Sequence, residues 1–238
     1  MGELFDTRFR ADDTPMTRAE LAQAIDACDV LVPTVTDHID AELFAGASDR
    51  LQLIASFGSG VDHIDLRAAR AKGVIVTNTP GVLTEDTADM TMALILSVPR
   101  RLAEGEKLVR SGTWAGWSPS GMLGHRIGGK RLGIIGMGRI GQAVARRAAA
   151  FGLSISYHNR HRLPEAVERE TGALWHPDLD VLLETSDIIS VNCPLNDDSR
   201  GMIDARRIGL IEPSAYFINT SRAEITDESA LVDALAAG

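Results

Sequence analysis

Aromatic side chains are scarce, at 5% of the 238 residues, so a core must be filled by Ala, Val, Ile and Leu from a 45% hydrophobic content. Cysteine is nearly missing. Cys28 and Cys193 stand far apart and form neither a disulfide framework nor a metal knuckle. No metal is expected, and a reducing, cytoplasmic setting is the simplest inference. No run approaches the ~18 apolar residues that a membrane span needs. The N-terminal stretch MGELFDTRFRADD has mixed charges and no apolar core, so it does not read as a signal peptide. Positive charge is short as well: 24 Lys and Arg against 33 Asp and Glu, a net charge of -9. That balance argues against the basic surface by which proteins hold nucleic acid or anionic membrane.

What is present is alternation. Short, β-branched apolar runs at 30–35, 51–57, 74–77, 132–136, 153–157, 188–192 and 215–219 read as strands. Their near-continuous apolarity suits parallel strands covered on both faces. Between them, 18–28, 65–72, 86–110, 140–151, 178–184 and 227–237 have helical spacing. Thr17 three residues before Glu20 makes a capping box, and Asp227 and Glu228 after Thr226 suit a helix N-terminus. Strand alternating with helix predicts an α/β protein with right-handed crossovers and doubly wound parallel sheets. The turn cluster Asn78-Thr-Pro-Gly81 divides the chain into a unit over 1–79 and another over 80–238, the second opening on one long helix. Residues 111–130 hold six glycines, Trp114 and Trp117 without periodicity. That segment reads either as an arm against another subunit, where aromatics are enriched, or as intramolecular packing.

Arg131-Leu-Gly-Ile-Ile-Gly-Met-Gly-Arg-Ile-Gly141 is the sharpest motif. A short apolar strand precedes it and an amphipathic helix follows. Gly136 is expected to make the tight turn, Gly138 to admit a pyrophosphate against the backbone, and Gly141 to let helix and strand pack closely. Arg139 and Ile140 open the helix, whose N–H groups and dipole attract an anion. A dinucleotide site is the expectation. An NAD site usually carries a carboxylate about 20 residues past the glycines. Here that strand ends in Asn159-Arg160-His161-Arg162, with no carboxylate before Glu165. Arginines can fork onto a 2′-phosphate that a carboxylate would repel. NADP is therefore expected, held by Asn159, Arg160 and Arg162, with NAD still possible if these are only solvated basic residues.

Five segments in order carry a resemblance: Phe57-Gly-Ser-Gly-Val-Asp-His-Ile-Asp65, Val76-Thr-Asn-Thr-Pro-Gly81, the glycine motif, Val191-Asn-Cys-Pro194 and Ile218-Asn-Thr-Ser-Arg222. Together they resemble the D-isomer-specific 2-hydroxyacid dehydrogenases, and among these the NADPH-preferring glyoxylate/hydroxypyruvate reductases. The resemblance implies a flavodoxin-like substrate domain, a Rossmann-type cofactor domain, a cleft between them and a homodimer. It implies that Ser59 and Gly60 hold a substrate carboxylate through backbone N–H groups. Thr87, Cys193, Pro194 and Thr220 would lie along the cofactor, with Cys193 a small buried residue rather than a nucleophile. Arg222 would bind both the carboxylate and the carbonyl under reduction, as an always-charged fork can. Ala223 stands where glycine usually follows that arginine, which matters only if the backbone there needs a positive φ.

The family's proton donor is a histidine well beyond the arginine, paired with a glutamate. The six histidines here, His38, His63, His125, His158, His161 and His176, all precede Arg222. The resemblance thus leads one to expect a fragment of a longer enzyme that reduces a small 2-oxoacid, glyoxylate or hydroxypyruvate. Rival readings are a non-catalytic dinucleotide-binding protein on the same scaffold, or a family member acting on formate or a bulkier hydroxyacid.

Overall fold

The structure, a computed structural model, describes residues 2–10 and 12–238; Met1 and Ala11 of the N-terminal stretch lie outside the described residues. The chain forms two compact units that meet in sequence between Val82 and Leu83.

The first unit runs α1 (Arg18–Ala27), β1 (Val30–Leu31), α2 (Ala41–Gly46), β2 (Leu53–Ala55), α3 (Leu66–Ala71) and β3 (Ile75–Thr77). The strands are parallel and lie side by side in chain order. Each helix starts on a side-chain cap that satisfies its first N–H groups. Thr17 and Glu20 form the reciprocal capping box on α1, Asp40 accepts from the Leu43 N–H, and Asp65 accepts from Arg67 and Ala68. Arg18 grips Asp40 at 2.7 Å, and those hydrogen bonds hold the Asp40 carboxyl down at about 2. Leu21 and Ile25 of α1 and Leu43 and Phe44 of α2 bury themselves with Leu31 and Ile54 of the sheet. The short helix α2 has no counterpart in the periodicity: six residues are too few to show one.

The second unit runs α4 (Thr84–Ser97), α5 (Leu102–Arg110), β4 (Arg131–Ile135), α6 (Arg139–Ala150), β5 (Ser154–His158), α7 (Glu165–Thr171), β6 (Ala173–Trp175), α8 (Leu179–Thr185), β7 (Ile188–Val191), α9 (Ala205–Ile208), β8 (Tyr216–Asn219) and α10 (Glu228–Ala237). Its five parallel strands lie in the order β6-β5-β4-β7-β8. The chain therefore winds outward from β4 in one direction and from β7 in the other. One face of the sheet is covered by Ala88, Met92 and Ile95 of α4 with Val144 and Ala148 of α6, packed on Leu132 and Ile134. The other face is covered by Leu179, Leu182 and Leu183 of α8 with Ile208 of α9, packed on Ile135, Ile189 and Val191. Every residue of β7 is buried, as expected of a strand with helices on both sides.

Two corrections to the sequence reading concern this unit. The expected single helix over 86–110 is two helices, because Pro99 removes a donor and clashes with the preceding turn; the chain then passes through Arg101 at φ 54 before α5 begins. The edge strand β6 was not expected. Its three residues follow the charged helix α7 directly, with only Gly172 at φ 64 to close the turn. Gly133 shows how tightly β4 meets α8. An added Cβ there would stand 2.2 Å from the Ser186 hydroxyl and 3.2 Å from the Leu182 side chain. Gly133→Ala is expected to cost about 1–3 kcal/mol by overpacking. In urea the unfolding midpoint falls while the slope is unchanged.

Candidate functional site

The glycine turn lies between β4 and α6, at the point where the strand order reverses. In open α/β sheets ligands bind beyond the carboxyl ends of the strands at such a point. Gly136 takes φ 96, and a Cβ there would stand 2.4 Å from the Cys193 backbone nitrogen. Gly141 is as constrained: its Cβ would stand 2.3 Å from the Gly136 carbonyl oxygen. Gly138 differs from both. A Cβ there would meet nothing within 4 Å, so its backbone is open to an approaching group. It is also the N-cap of α6, and no side chain caps that helix. The helix-start N–H groups and the dipole behind them thus face an open cradle that fits a pyrophosphate. Arg139 is exposed beside it and Ile140 half-buried.

Beyond β5 the basic residues divide. Asn159 Oδ1 accepts from the Met137 N–H at 2.7 Å, so this side chain braces the glycine turn. Arg160 is mostly exposed and ion-paired with Asp198. Arg162 turns away. Its guanidinium forks onto Glu168, with contacts of 2.9 and 2.7 Å, and lies over the Trp175 ring. Glu168 Oε1 also accepts from the Tyr157 hydroxyl at 2.7 Å, and that hydroxyl accepts from the Leu163 N–H at 2.9 Å. Burial and the bond to Glu168 push the Tyr157 phenol up to about 12, so it stays a donor. The structure thus gives Arg162 a structural employment and leaves Arg160 as the available fork.

At the ends of β7 and β8 a polar chain ties the two strands to α4. Ser190 Oγ donates to Asn192 Oδ1 at 2.9 Å. Asn192 Nδ2 donates to Thr220 Oγ1 at 3.3 Å, and Thr220 lies 2.8 Å from the buried Thr91 hydroxyl. Thr91 in turn donates to the Thr87 carbonyl at 2.8 Å. Cys193 and the exposed Pro194 follow, and the Cys193 carbonyl accepts from the Ser221 hydroxyl. Asn219 then shapes the turn into Arg222. Its Oδ1 accepts from the Ser221 N–H and its Nδ2 donates to the Arg222 carbonyl, both at 2.9 Å. Arg222 is half-buried, extended at φ -134, and donates through Nη1 to the Ser221 carbonyl at 3.2 Å. Ala223 begins a single 3-10 turn and is not among the positive-φ residues, so its methyl costs no strain.

In the first unit, the loop after β2 is tied to the turn after β3. Ser59 Oγ donates to the Thr79 carbonyl at 3.2 Å, and Asn78 Nδ2 donates to the Ser59 carbonyl at 2.7 Å. His63 is buried, its Nε2 lying 3.3 Å from the Ser56 hydroxyl. Elsewhere His125 meets the Tyr216 hydroxyl, and His158 Nδ1 the His176 carbonyl at 3.0 Å. Among the described residues no group of His, Cys, Asp and Glu could hold a metal, and no helix is long and apolar enough to cross a membrane.

Residues 92–238 match the family model of the D-isomer specific 2-hydroxyacid dehydrogenase NAD binding domain. A glyoxylate reductase of Thermococcus litoralis is 43% identical over 240 residues, covering 99% of this chain and 72% of that protein. The chain belongs to the D-isomer-specific 2-hydroxyacid dehydrogenases. It is thus an NAD(P)-dependent dehydrogenase that uses a nicotinamide dinucleotide, and its family acts on small 2-hydroxyacids and 2-oxoacids. Among solved structures, a glyoxylate reductase from Paecilomyes thermophila matches with a TM-score of 0.82 and 35% identity, over 92% of this chain and 67% of that one. A D-lactate dehydrogenase from Aquifex aeolicus, complexed with NAD and lactic acid, matches at 0.83 and 33%, over 91% and 63%.

Thr91, Asn192, Asn219 and Asp198 escaped the sequence reading. Only Asn219 had a local signal, since Asn two residues before Ser is an Asx-turn spacing. Cys193 yields a pH prediction. Burial pushes its thiol up to about 11, so at pH 8 only about one molecule in a thousand carries the thiolate, the form that reacts. Folded protein should resist iodoacetamide at Cys193 at pH 8 and become reactive in urea, read by peptide mass spectrometry.

Proposed function

We propose that this dehydrogenase reduces a small 2-oxoacid, glyoxylate or hydroxypyruvate, to the D-2-hydroxyacid, with NADPH preferred over NADH. The observation that carries the reading is Arg222, set at the carboxyl edge of the sheet by the Asn219 turn. A guanidinium there forks onto the substrate carboxylate and stabilises the negative charge that develops on the carbonyl oxygen. The resemblance gives Ser59 and Gly60 main-chain donors for a substrate carboxylate. Gly136, Gly138 and Gly141 would hold the pyrophosphate, with Arg139 and Ile140 at the helix start. Thr87, Cys193, Pro194 and Thr220 would line the nicotinamide side, and Asn159 and Arg160 would take the adenosine 2′-phosphate, while Arg162 stays with Glu168. When bound, the nicotinamide exchanges a hydride with the substrate's carbonyl carbon.

Glyoxylate-dependent oxidation of NADPH by the full-length gene product tests this reading. Arg222→Ala should lower kcat/KM by at least about 100-fold while leaving the NADPH dissociation constant within a factor of about two. An unaffected variant overturns the assignment, and NADPH binding without turnover by the wild type favours the non-catalytic reading. Equal wild-type affinities for NADH and NADPH overturn the cofactor preference.

The assembly we propose is a homodimer joined through the 111–130 segment. Trp114 is 55% exposed there and Trp117 84%, and exposed aromatics of this size mark contact surfaces. Sedimentation should give twice the chain mass at micromolar concentration, and a monomer rules the arm out.

A further inference from the structure

The missing carboxylate at the end of β5 reappears from another direction. Asp198 belongs to the loop after β7, remote in sequence from the basic stretch, yet its carboxylate holds Arg160. The loop gives it a defined place. Asn196 Oδ1 accepts from the Asp198 and Ser199 N–H groups at 3.0 and 3.1 Å. The buried Ser199 hydroxyl donates to the Pro194 carbonyl at 2.8 Å and accepts from the Asn196 N–H at 2.9 Å. Asp198 thus faces Arg160 from a braced backbone, while both side chains stay open to solvent, 67% and 71% exposed.

We propose that Asp198 is a specificity-determining residue, setting how strongly this enzyme distinguishes NADPH from NADH. The inference rests on the proposed role of Arg160 toward the 2′-phosphate. A 2′-phosphate must take the Arg160 fork from Asp198 and then lie beside a carboxylate of its own sign. A 2′-hydroxyl carries no charge, meets no such repulsion, and can donate a hydrogen bond to the same carboxylate. Asp198 therefore weakens NADPH binding and leaves NADH tolerated. It acts from the loop after β7 as a counterweight to Arg160. Because the pair is exposed, the competition is modest: an ion pair in water is readily exchanged for a stronger anion.

The test is direct binding, independent of turnover. Dissociation constants are measured by titration calorimetry for NADPH, NADH, adenosine 2′,5′-bisphosphate and AMP, on wild type, Asp198→Asn and Arg160→Ala. Asp198→Asn should tighten NADPH and the bisphosphate about three- to fivefold, with NADH and AMP unchanged or weaker. An unchanged NADPH constant in Asp198→Asn, or an equal gain for all four ligands, overturns the assignment of Asp198. It does so while Arg160→Ala still weakens only the 2′-phosphorylated pair. If instead Arg160→Ala weakens neither 2′-phosphorylated ligand, the Arg160 reading fails, and the Asp198 proposal with it. Thermal unfolding midpoints matching the wild type confirm that each variant is folded.

Discussion

The contact on which the second unit depends is the approach of α6 to the end of β4. At residue 141 no side-chain atom fits, because the Gly136 carbonyl oxygen already fills the space. At residue 136 the same holds against the Cys193 backbone. Three segments, from β4, α6 and the loop after β7, therefore meet main chain to main chain. Packing at backbone distance brings the helix start to the lip of the sheet, so its uncapped N–H groups look outward beyond the strand ends. With side chains at those positions the helix would stand off and its dipole would point at solvent. The open cradle is thus a consequence of how closely two elements pack, and of the three glycines Gly138 alone has nothing within 4 Å of where a Cβ would stand.

A second layer of constraint is polar. Parallel strands end in carbonyls and loops that hydrophobic packing cannot order. Here the ends of β7 and β8 are tied by the chain from Ser190 through Asn192 and Thr220 to Thr91 on α4. Asn192, Thr220 and Thr91 each both give and receive, which makes such a network worth keeping in a low-dielectric setting. The Arg222 turn stands on this platform. Asn219 closes the turn through both ends of its amide, so the guanidinium departs from a fixed backbone. A fork reading a carboxylate needs that, because its two donors must arrive together.

Much of this is legible in the sequence. Strand and helix alternation and the glycine turn announce themselves through period and short-range order, and the segments around Ser59 and Arg222 through the family resemblance. What escaped has physical causes. Helix α2 and strand β6 are too short to display a period. The break at Pro99 was hidden by apolar residues that keep helical spacing on both sides of it. Arg160 and Arg162 looked like a matched pair, because both sit at one strand end in the sequence. Yet Arg162 is drawn down by Glu168, whose position depends on how α7 packs over Tyr157. Asp198 was invisible as a neighbour of Arg160, since only the parallel pairing of β4 with both β5 and β7 brings the two loops together. Tertiary partners of this kind leave no trace in spacing.

The charge balance sharpens the same point. A chain of net charge -9 seems ill-suited to a cofactor bearing several phosphates, if charge is counted as a total. Many of the acids, however, are held in ion pairs. Asp180 is held by Arg206 and Arg207, whose hydrogen bonds bring its carboxyl down to about 2. Asp187 is paired with Arg131, and Glu85 and Asp89 with Arg147. At physiological ionic strength exposed charges fade over about 8 Å, so distant acids scarcely reach the cradle. What an arriving phosphate meets is local: the start of α6, Arg139 and Arg160. Among the described residues the acid ion-paired with one of these cations is Asp198, and under the role proposed for it that single carboxylate bears more on cofactor choice than the net charge of the whole chain.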